Sequence, residues 1–497
     1  MRAKLTSHKF SLAILVGATV LFLVLATGAA LTKAPEADEG WFASPALNLI
    51  TRGFMGTSVL EPSGILTRQL KGINQYTYWV MPLHLVAQAG WYKLFGFSLF
   101  SMRTLSILWG LVALAAWFLI IKKLTGESAA ATLAFVFIAC DYIFIMHAAF
   151  GRMDMMCAAL GFAALAAYLS LREKDLRLAL FVSHVLVVAS GLTHPNGVMA
   201  LAGLIFLTLY FDRSSLRWRH LPFVAAPYLV GAVAWGLYIL RSPASFVSQF
   251  GDNATGRLPG IFSPLQSLKL EFTDKYLEAF GFASYSNGLA RLKIFILIAY
   301  LVGIVGALAM RGLRQQKGAR ALLILWAIYF VIETFFNHKL VFYLIHIIPL
   351  YAAVLAVWVH YCWSRRVVPG WIVAGGVACL LTLQVGAVAY RIKQNDYRGK
   401  YLPAVEFVRG NSTPSTLTMS SAEMAFGLGF DHVIDDLRLG YYSGKRPDFV
   451  VVGTTYEGLF GTLRTKEPVV YEHVQKLLTE QCRVAYEREP YKIYDCR

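Results

Sequence analysis

Two adjacent carboxylates, Asp38 and Glu39, stand just past the first long apolar run of the chain. Ionisable residues at or below the edge of a membrane are candidates for chemistry, because their solvation there is costly. Such a carboxylate can take a proton from an incoming hydroxyl or hold a divalent cation. The plainer reading is a solvated turn in which Asp38 caps a following helix. A second pair, Arg152 and Asp154, lies between two apolar runs. Positions two apart do not share a helix face, so the pair predicts a turn with Asp154 near a helix start, where the dipole favours its charge. His147, one turn earlier, reads as an interfacial histidine with its hydrogen bonds satisfied.

Thr193-His194-Pro195-Asn196-Gly197 is a turn by its Pro and Gly. His194 there can bind phosphate, bind a metal, or simply hydrogen-bond the backbone. Lys339, Tyr343 and His346 follow at spacings of four and three, which on a helix puts all three on one face. A lysine that snorkels to the surface explains the first of them. A polar stripe descending from it is less easily dismissed, because lipid-facing polar groups are costly, and such a stripe could grip a lipid phosphate. Glu333 and Asn337 on the preceding run could line the same cavity or pair with Lys339.

The elements that must position these residues are membrane helices. The 497 residues are 57% hydrophobic and 15% charged, with a mean hydropathy of +0.54, where soluble domains carry about a quarter charged residues. The net charge of +17 sits in short loops: Lys122–Lys123, Arg172–Lys174–Arg177, Arg213–Arg217–Arg219, Arg311–Arg314–Lys317–Arg320 and Arg365–Arg366. The loops between them, Gly191–Gly197 and Phe336–Leu340, hold little basic charge. This alternation follows the positive-inside rule and argues against nucleic acid as a partner.

Phe10–Leu31 behind a basic N-terminus reads as a retained first span running outward. Thr32–Met102 reads as a first outer loop with short interfacial helices around Tyr76–Phe97. Ten further spans are predicted near 103–121, 128–147, 155–171, 178–190, 198–211, 221–240, 292–310, 321–335, 340–361 and 371–390, about eleven in all. Residues 241–291 form a second sizeable outer loop. Residues 391–497 read as a small α/β domain, with a helix at Leu402–Val408, a strand at Phe449–Gly453 and a closing hairpin. Cys482 and Cys496 in that tail could form a disulfide in an oxidising compartment; the other four cysteines read as small hydrophobes. The chain thus divides at about residue 390 into a polytopic α-helical membrane domain and an outer domain.

Taken in order, these residues resemble the C-type glycosyltransferase superfamily, above all bacterial relatives of the dolichyl-phosphate-mannose:protein mannosyltransferases and of the lipid A aminoarabinose transferase. The matching features are the acidic pair Asp38-Glu39 in the first outer loop, and the aromatic stretch Tyr78–Gly96 before the span Arg103–Lys123. Arg152 with Asp154, and Lys339 followed by Tyr343 and Pro349, complete the match over roughly residues 30–360. The resemblance implies a C-type glycosyltransferase fold and a polyprenyl-phosphate sugar as donor. It also implies an acceptor glycan, lipid or protein, and inversion in a single displacement. It makes Asp38 the base and Asp154 a second acid, with Lys339 and Arg152 stabilising the departing phosphate and Glu39 and His194 beside them. A divalent metal is left open, with Asp38, Glu39 and Asp154 as its ligands if one binds. The Pro-Pro that often follows a basic residue in the first loop is absent, since residues 71–76 read Lys-Gly-Ile-Asn-Gln-Tyr. The expected location is a bacterial inner membrane, with a cytoplasmic N-terminus and a periplasmic tail. A transporter or lipid flippase is the rival reading; no internal repeat of the kind such proteins show is found.

Overall fold

The apolar runs fold as helices because each is long enough to satisfy its own backbone in a medium that offers no hydrogen bonds. The computed structural model describes residues 2–63, 70–251, 263–283, 288–336 and 338–497. Among the described residues nine helices are long and apolar enough to cross a membrane: Lys9–Thr32, Leu99–Thr125, Met153–Leu171, Leu176–Thr193, Trp218–Ile239, Gly288–Ala309, Lys317–Phe335, Val341–Arg365 and Gly370–Gly410. Ser128–Ala139 and Tyr142–Ala148, bent by 63° at a break, make a tenth. The eleventh predicted segment is the helix Gly197–Asp212 of 16 residues, which at 1.5 Å per residue reaches about 24 Å against the ~30 Å of a hydrocarbon core.

The bend has a local cause. Asp141 caps the second half by accepting from the Phe144 N–H at 2.7 Å, so a new helix begins where the first stops. Its other oxygen accepts from the Tyr300 hydroxyl and from Gln384 Nε2. A single acid therefore fixes the break against two other helices. Another difference from the sequence expectation lies at 340–361. The α-helix there starts at Ile348, with Pro349 in its first turn, and is preceded by a 3₁₀ turn, Val341–His346. Pro lacks an N–H and is suited to a helix start.

The chain divides into two compact units. The helical unit comprises Met1–Ala29, Ser106–Ala234 and Arg257–Tyr390. The sheet-bearing unit comprises Ala30–Leu105, Trp235–Gly256 and Arg391–Arg497. In the second, strands β1 (Thr418–Ser420), β2 (Val433–Ile434), β3 (Phe449–Val452), β4 (Arg483–Arg488) and β5 (Tyr491–Asp495) form one mixed sheet in the order β2-β1-β3-β5-β4. The first three are parallel, and β5 runs antiparallel to β3 and β4. Side chains alternate across β3 with the period of two that a strand imposes. Phe449 and Val451 pack with Val59, Leu60, Ile73 and Val405, whereas Val450 and Val452 pack with Met419, Tyr456 and Val474. The tail is therefore cored in part by the first outer segment, which also supplies the helices Ala37–Thr51 and Pro82–Phe95.

A disulfide joins Cys482 to Cys496 across the base of the β4–β5 hairpin, 14 residues apart. Closing a loop of that length restricts the unfolded chain, a stabilisation of about 3 kcal/mol. Reduction, or Cys482→Ser with Cys496→Ser, is therefore expected to lower the denaturation midpoint of the sheet-bearing unit. Equal midpoints with and without reductant would show that the bond contributes nothing.

Candidate functional site

The helical unit gathers several of the predicted residues. Arg152 is the N-cap of the helix Met153–Leu171, and Asp154 lies in its first turn. Arg152 Nε donates to Asp154 Oδ2 at 2.7 Å, both side chains being almost wholly buried. The guanidinium lies 4.0 Å over the Phe342 ring, a stacking that a lysine would not reproduce. His194 ends the helix Leu176–Thr193; its Nδ1 accepts from the Asn196 N–H at 3.1 Å, which assigns the proton of the neutral ring to Nε2. The His194 ring is 5.4 Å from that of Tyr343. Tyr343 and His346 sit three apart on the 3₁₀ turn, where three residues per turn align them. His194 and His346 both lie within electrostatic reach of Asp154. Asp154 Oδ1 and His346 Nε2 are buried and have no hydrogen-bond partner among the described residues. Buried polar atoms are normally paired, so these two mark where a ligand or its water would be satisfied.

Lys339 behaves differently from the expected stripe. It precedes the 3₁₀ turn rather than sharing a helix face with Tyr343 and His346. Its Nζ donates to Glu271 Oε2 at 2.7 Å and to the carbonyls of Glu333 and Thr334 at 3.1 and 2.5 Å. The three protons of the ammonium are thus all directed at acceptors. The Glu333 carboxylate pairs instead with Lys275, which also lies 3.1 Å from Glu271 Oε1. Glu271, Lys275 and Glu333 are completely buried. Burial pulls the Lys275 ammonium down, but the Glu333 and Glu271 carboxylates push it up and win, so it stays charged. Asn337 lies outside the described residues. His147 bonds the Ile143 carbonyl through Nδ1 at 2.7 Å and sets its ring against Phe342.

Asp38 and Glu39 belong to the sheet-bearing unit. Glu36, not Asp38, is the N-cap of Ala37–Thr51. Asp38 is the second residue of that helix and half-buried, at the end where the dipole favours a carboxylate. Glu39 is fully buried in a two-pronged pair with Arg103, whose Nε and Nη2 donate to Oε1 and Oε2 at 2.8 and 2.6 Å. The rest of the same guanidinium donates to the carbonyls of Ala30, Lys33 and Ala34. Two neighbours in sequence therefore have different fates: one is half-buried and the other anchors the helix.

A further set holds this helix from the tail. Trp41 Nε1 and the Ala422 N–H donate to Asp435 Oδ2 at 2.8 and 3.0 Å, and the Tyr456 hydroxyl donates to Oδ1 at 3.0 Å. Gly40 permits the approach, since a Cβ there would come 2.4 Å from the Ala422 carbonyl oxygen. Burial pushes the Asp435 carboxyl up to about 7, and burial likewise pushes Glu423 up to about 7. Raised acids bind protons more tightly folded than unfolded. The stability of this unit should therefore fall as pH rises from about 4 to about 7, by on the order of 3 kcal/mol for each group before their coupling. Thermal unfolding followed across that range checks the sign; a midpoint that rises with pH would refute it.

Of the predicted residues, the fold brings together Arg152, Asp154, His194, Tyr343 and His346. It commits Lys339 to Glu271 and Glu39 to Arg103. Glu271, Lys275, Arg103 and Asp435 were not singled out by sequence. Among the described residues no group of three or more His, Cys, Asp or Glu side chains could hold a metal ion. Glu39 and Asp154 are each already paired with an arginine. These residues do not fit a resident divalent ion.

Comparison with known proteins agrees in outline. Residues 80–238 match the family model described as dolichyl-phosphate-mannose-protein mannosyltransferase. No curated protein matches the chain in sequence. Among solved structures it is similar to ArnT from Cupriavidus metallidurans bound to undecaprenyl phosphate, at 14% identity over 98% of each chain and a TM-score of 0.63. It is also similar to the archaeal oligosaccharyltransferase AglB from Archaeoglobus fulgidus in complex with an inhibitory peptide and a dolichol-phosphate, at 12% identity over 99% of this chain and 74% of that one, with a TM-score of 0.55. With nine to ten helices among the described residues long and apolar enough to cross a membrane, the chain is an integral membrane protein.

Proposed function

The chain has the C-type glycosyltransferase fold, and from that premise we propose that it transfers a sugar from a polyprenyl-phosphate carrier to an acceptor hydroxyl at the outer face of a bacterial inner membrane. One observation carries the reading: Arg152, Asp154, His194, Tyr343 and His346 come from three separate elements to one buried place, where Asp154 Oδ1 and His346 Nε2 have no hydrogen-bond partner among the described residues. The printed ligands of the two similar proteins, undecaprenyl phosphate and a dolichol-phosphate, support the class of donor. The basic loops support a cytoplasmic N-terminus and a periplasmic tail, residues 391–497.

In this reading an acceptor oxygen attacks the anomeric carbon as the bond from that carbon to the phosphate oxygen breaks, inverting the centre. Asp38 takes the acceptor proton, and the polyprenyl phosphate leaves with the bonding electrons. A phosphate is already a good leaving group, so a base and cations suffice. Arg152 and Lys339 are assigned to the phosphate, with His194, Tyr343 and His346 around it. Asp154 orients Arg152 and keeps that guanidinium in place. Glu39 holds the helix that carries Asp38. Protein, lipid A and other glycans are all acceptors of the right chemistry.

The test is to incubate purified protein in lipid with a panel of radiolabelled polyprenyl-phosphate sugars and follow label leaving the carrier. Consumption of one donor that depends on Arg152 and Asp38 supports the reading. Absence of both binding and consumption for every donor would overturn it in favour of a transporter.

A further inference from the structure

The sheet-bearing unit contains a cavity of about 230 Å³ to which the mechanism above assigns nothing. Three cations and three carboxyls line it: Lys33, Arg391 and Lys400 with Glu36, Asp396 and Glu423. Most are already paired with one another, Lys33 with Glu36 at 2.7 Å and Asp396 with Lys400 and Arg391 at 3.0 and 3.5 Å. A lining of three cations and three carboxyls carries little net charge, so neither a phosphate nor a cation is strongly drawn to it from a distance. What it does present is a dense ring of fixed donors and acceptors. Glu423 strengthens that character, since with its carboxyl pushed up to about 7 it can either donate or accept near neutrality. Part of the lining is apolar: Pro35, Pro490 and Tyr491, the last packed against Gly453, where a Cβ would come 2.9 Å from the ring.

Hydroxyls around an edge and C–H groups on a face are the signature of a sugar ring, and the volume suits a single one. The position adds a reason. Lys33–Glu36 leads straight into the helix Ala37–Thr51, whose second residue is Asp38, and two residues of chain span at most about 7 Å. We infer that this cavity is an acceptor subsite that seats one sugar residue of a glycan, next to the chain segment that bears Asp38. The inference rests on the glycosyltransferase reading for the word acceptor, but not for the binding of sugar.

The experiment uses the full chain in lipid nanodiscs and a panel of neutral methyl glycosides, with binding followed by saturation-transfer NMR. Thr455→Trp, on the cavity wall, fills the space without removing a charge, and Lys400→Met removes one donor should the first variant misfold. One or more glycosides should bind the wild type with a Kd of roughly 1–10 mM. That binding should weaken at least about tenfold in Thr455→Trp and severalfold in Lys400→Met. No glycoside binding to the wild type, or equal binding to wild type and both variants, overturns the inference, and so does a peptide that binds there in preference to every glycoside. Sugar binding lost in the variants, in a protein that neither binds nor consumes any polyprenyl-phosphate donor, would uphold a glycan site while removing the transferase reading. Donor consumption without glycoside binding would do the reverse.

Discussion

Asp38→Asn should lower sugar transfer by about 10²–10⁴-fold, the usual contribution of a positioned general base, and leave the fold intact. The substitution is close to isosteric, and the helix Ala37–Thr51 retains its Glu36 cap and its Glu39 anchor. Asp38 itself is only half-buried, so no packed cavity opens. The rate of label transfer from the donor, measured beside thermal unfolding of the same preparation, separates the two effects. A variant that is folded and still active would remove Asp38 from the role of base. Glu39→Gln is the instructive neighbour: its first effect should be on stability, because it leaves the Arg103 guanidinium buried against a neutral side chain.

Arg103→Met should be the most destabilising single change in the sheet-bearing unit. Arg103 and Glu39 are both completely excluded from solvent. Removing one partner of such a pair strands the other charge, at a cost of about 3–5 kcal/mol. Arg103→Lys should recover little of this, because an ammonium cannot reproduce the two-pronged fork and still reach three backbone carbonyls. The expected result is a lowered thermal midpoint together with new trypsin cleavage at Lys33 or Arg52, on either side of the released helix. An unchanged midpoint with unchanged cleavage would mean that the helix is held by its packing on Ala422 and Asp435 alone.

Local properties made much of this molecule legible. Each span declares itself through length and hydropathy, and Phe449–Val452 through four apolar residues that are buried on both faces of a sheet. Where structure depends on a distant partner, the sequence is silent. Strands β1 and β2, of three and two residues, are strands only because they pair. Asp141 looked like one polar residue within a span, yet by capping a new helix it broke that span in two.

The site followed the same rule. Arg152, Asp154 and His194 stood out as polar residues at the ends of apolar runs. Glu271 and Lys275 did not, because a Glu–Lys pair four apart is the ordinary mark of an exposed helix face. Their burial is bound up with Glu333, 58 residues beyond Lys275. Arg103 read as the basic end of a span until its partner 64 residues earlier was seen. The spacing that placed Lys339 with Tyr343 and His346 assumed an α-helix; a 3₁₀ turn keeps the latter two together and sends the lysine to Glu271.

The bond from Trp41 to Asp435 joins residues 394 positions apart, and that separation is also an interval of time. A ribosome adding about 5–20 residues per second needs roughly 20–80 s to travel it. Throughout that interval the helix with Asp38 has emerged without the Asp435 carboxylate or the Ala422 backbone that later hold it. The segment that bears the proposed base therefore waits, unfinished, while every remaining span is inserted, and is completed only when the tail arrives. Chains released early would carry the Glu39–Arg103 anchor of that helix but not its hold from the tail.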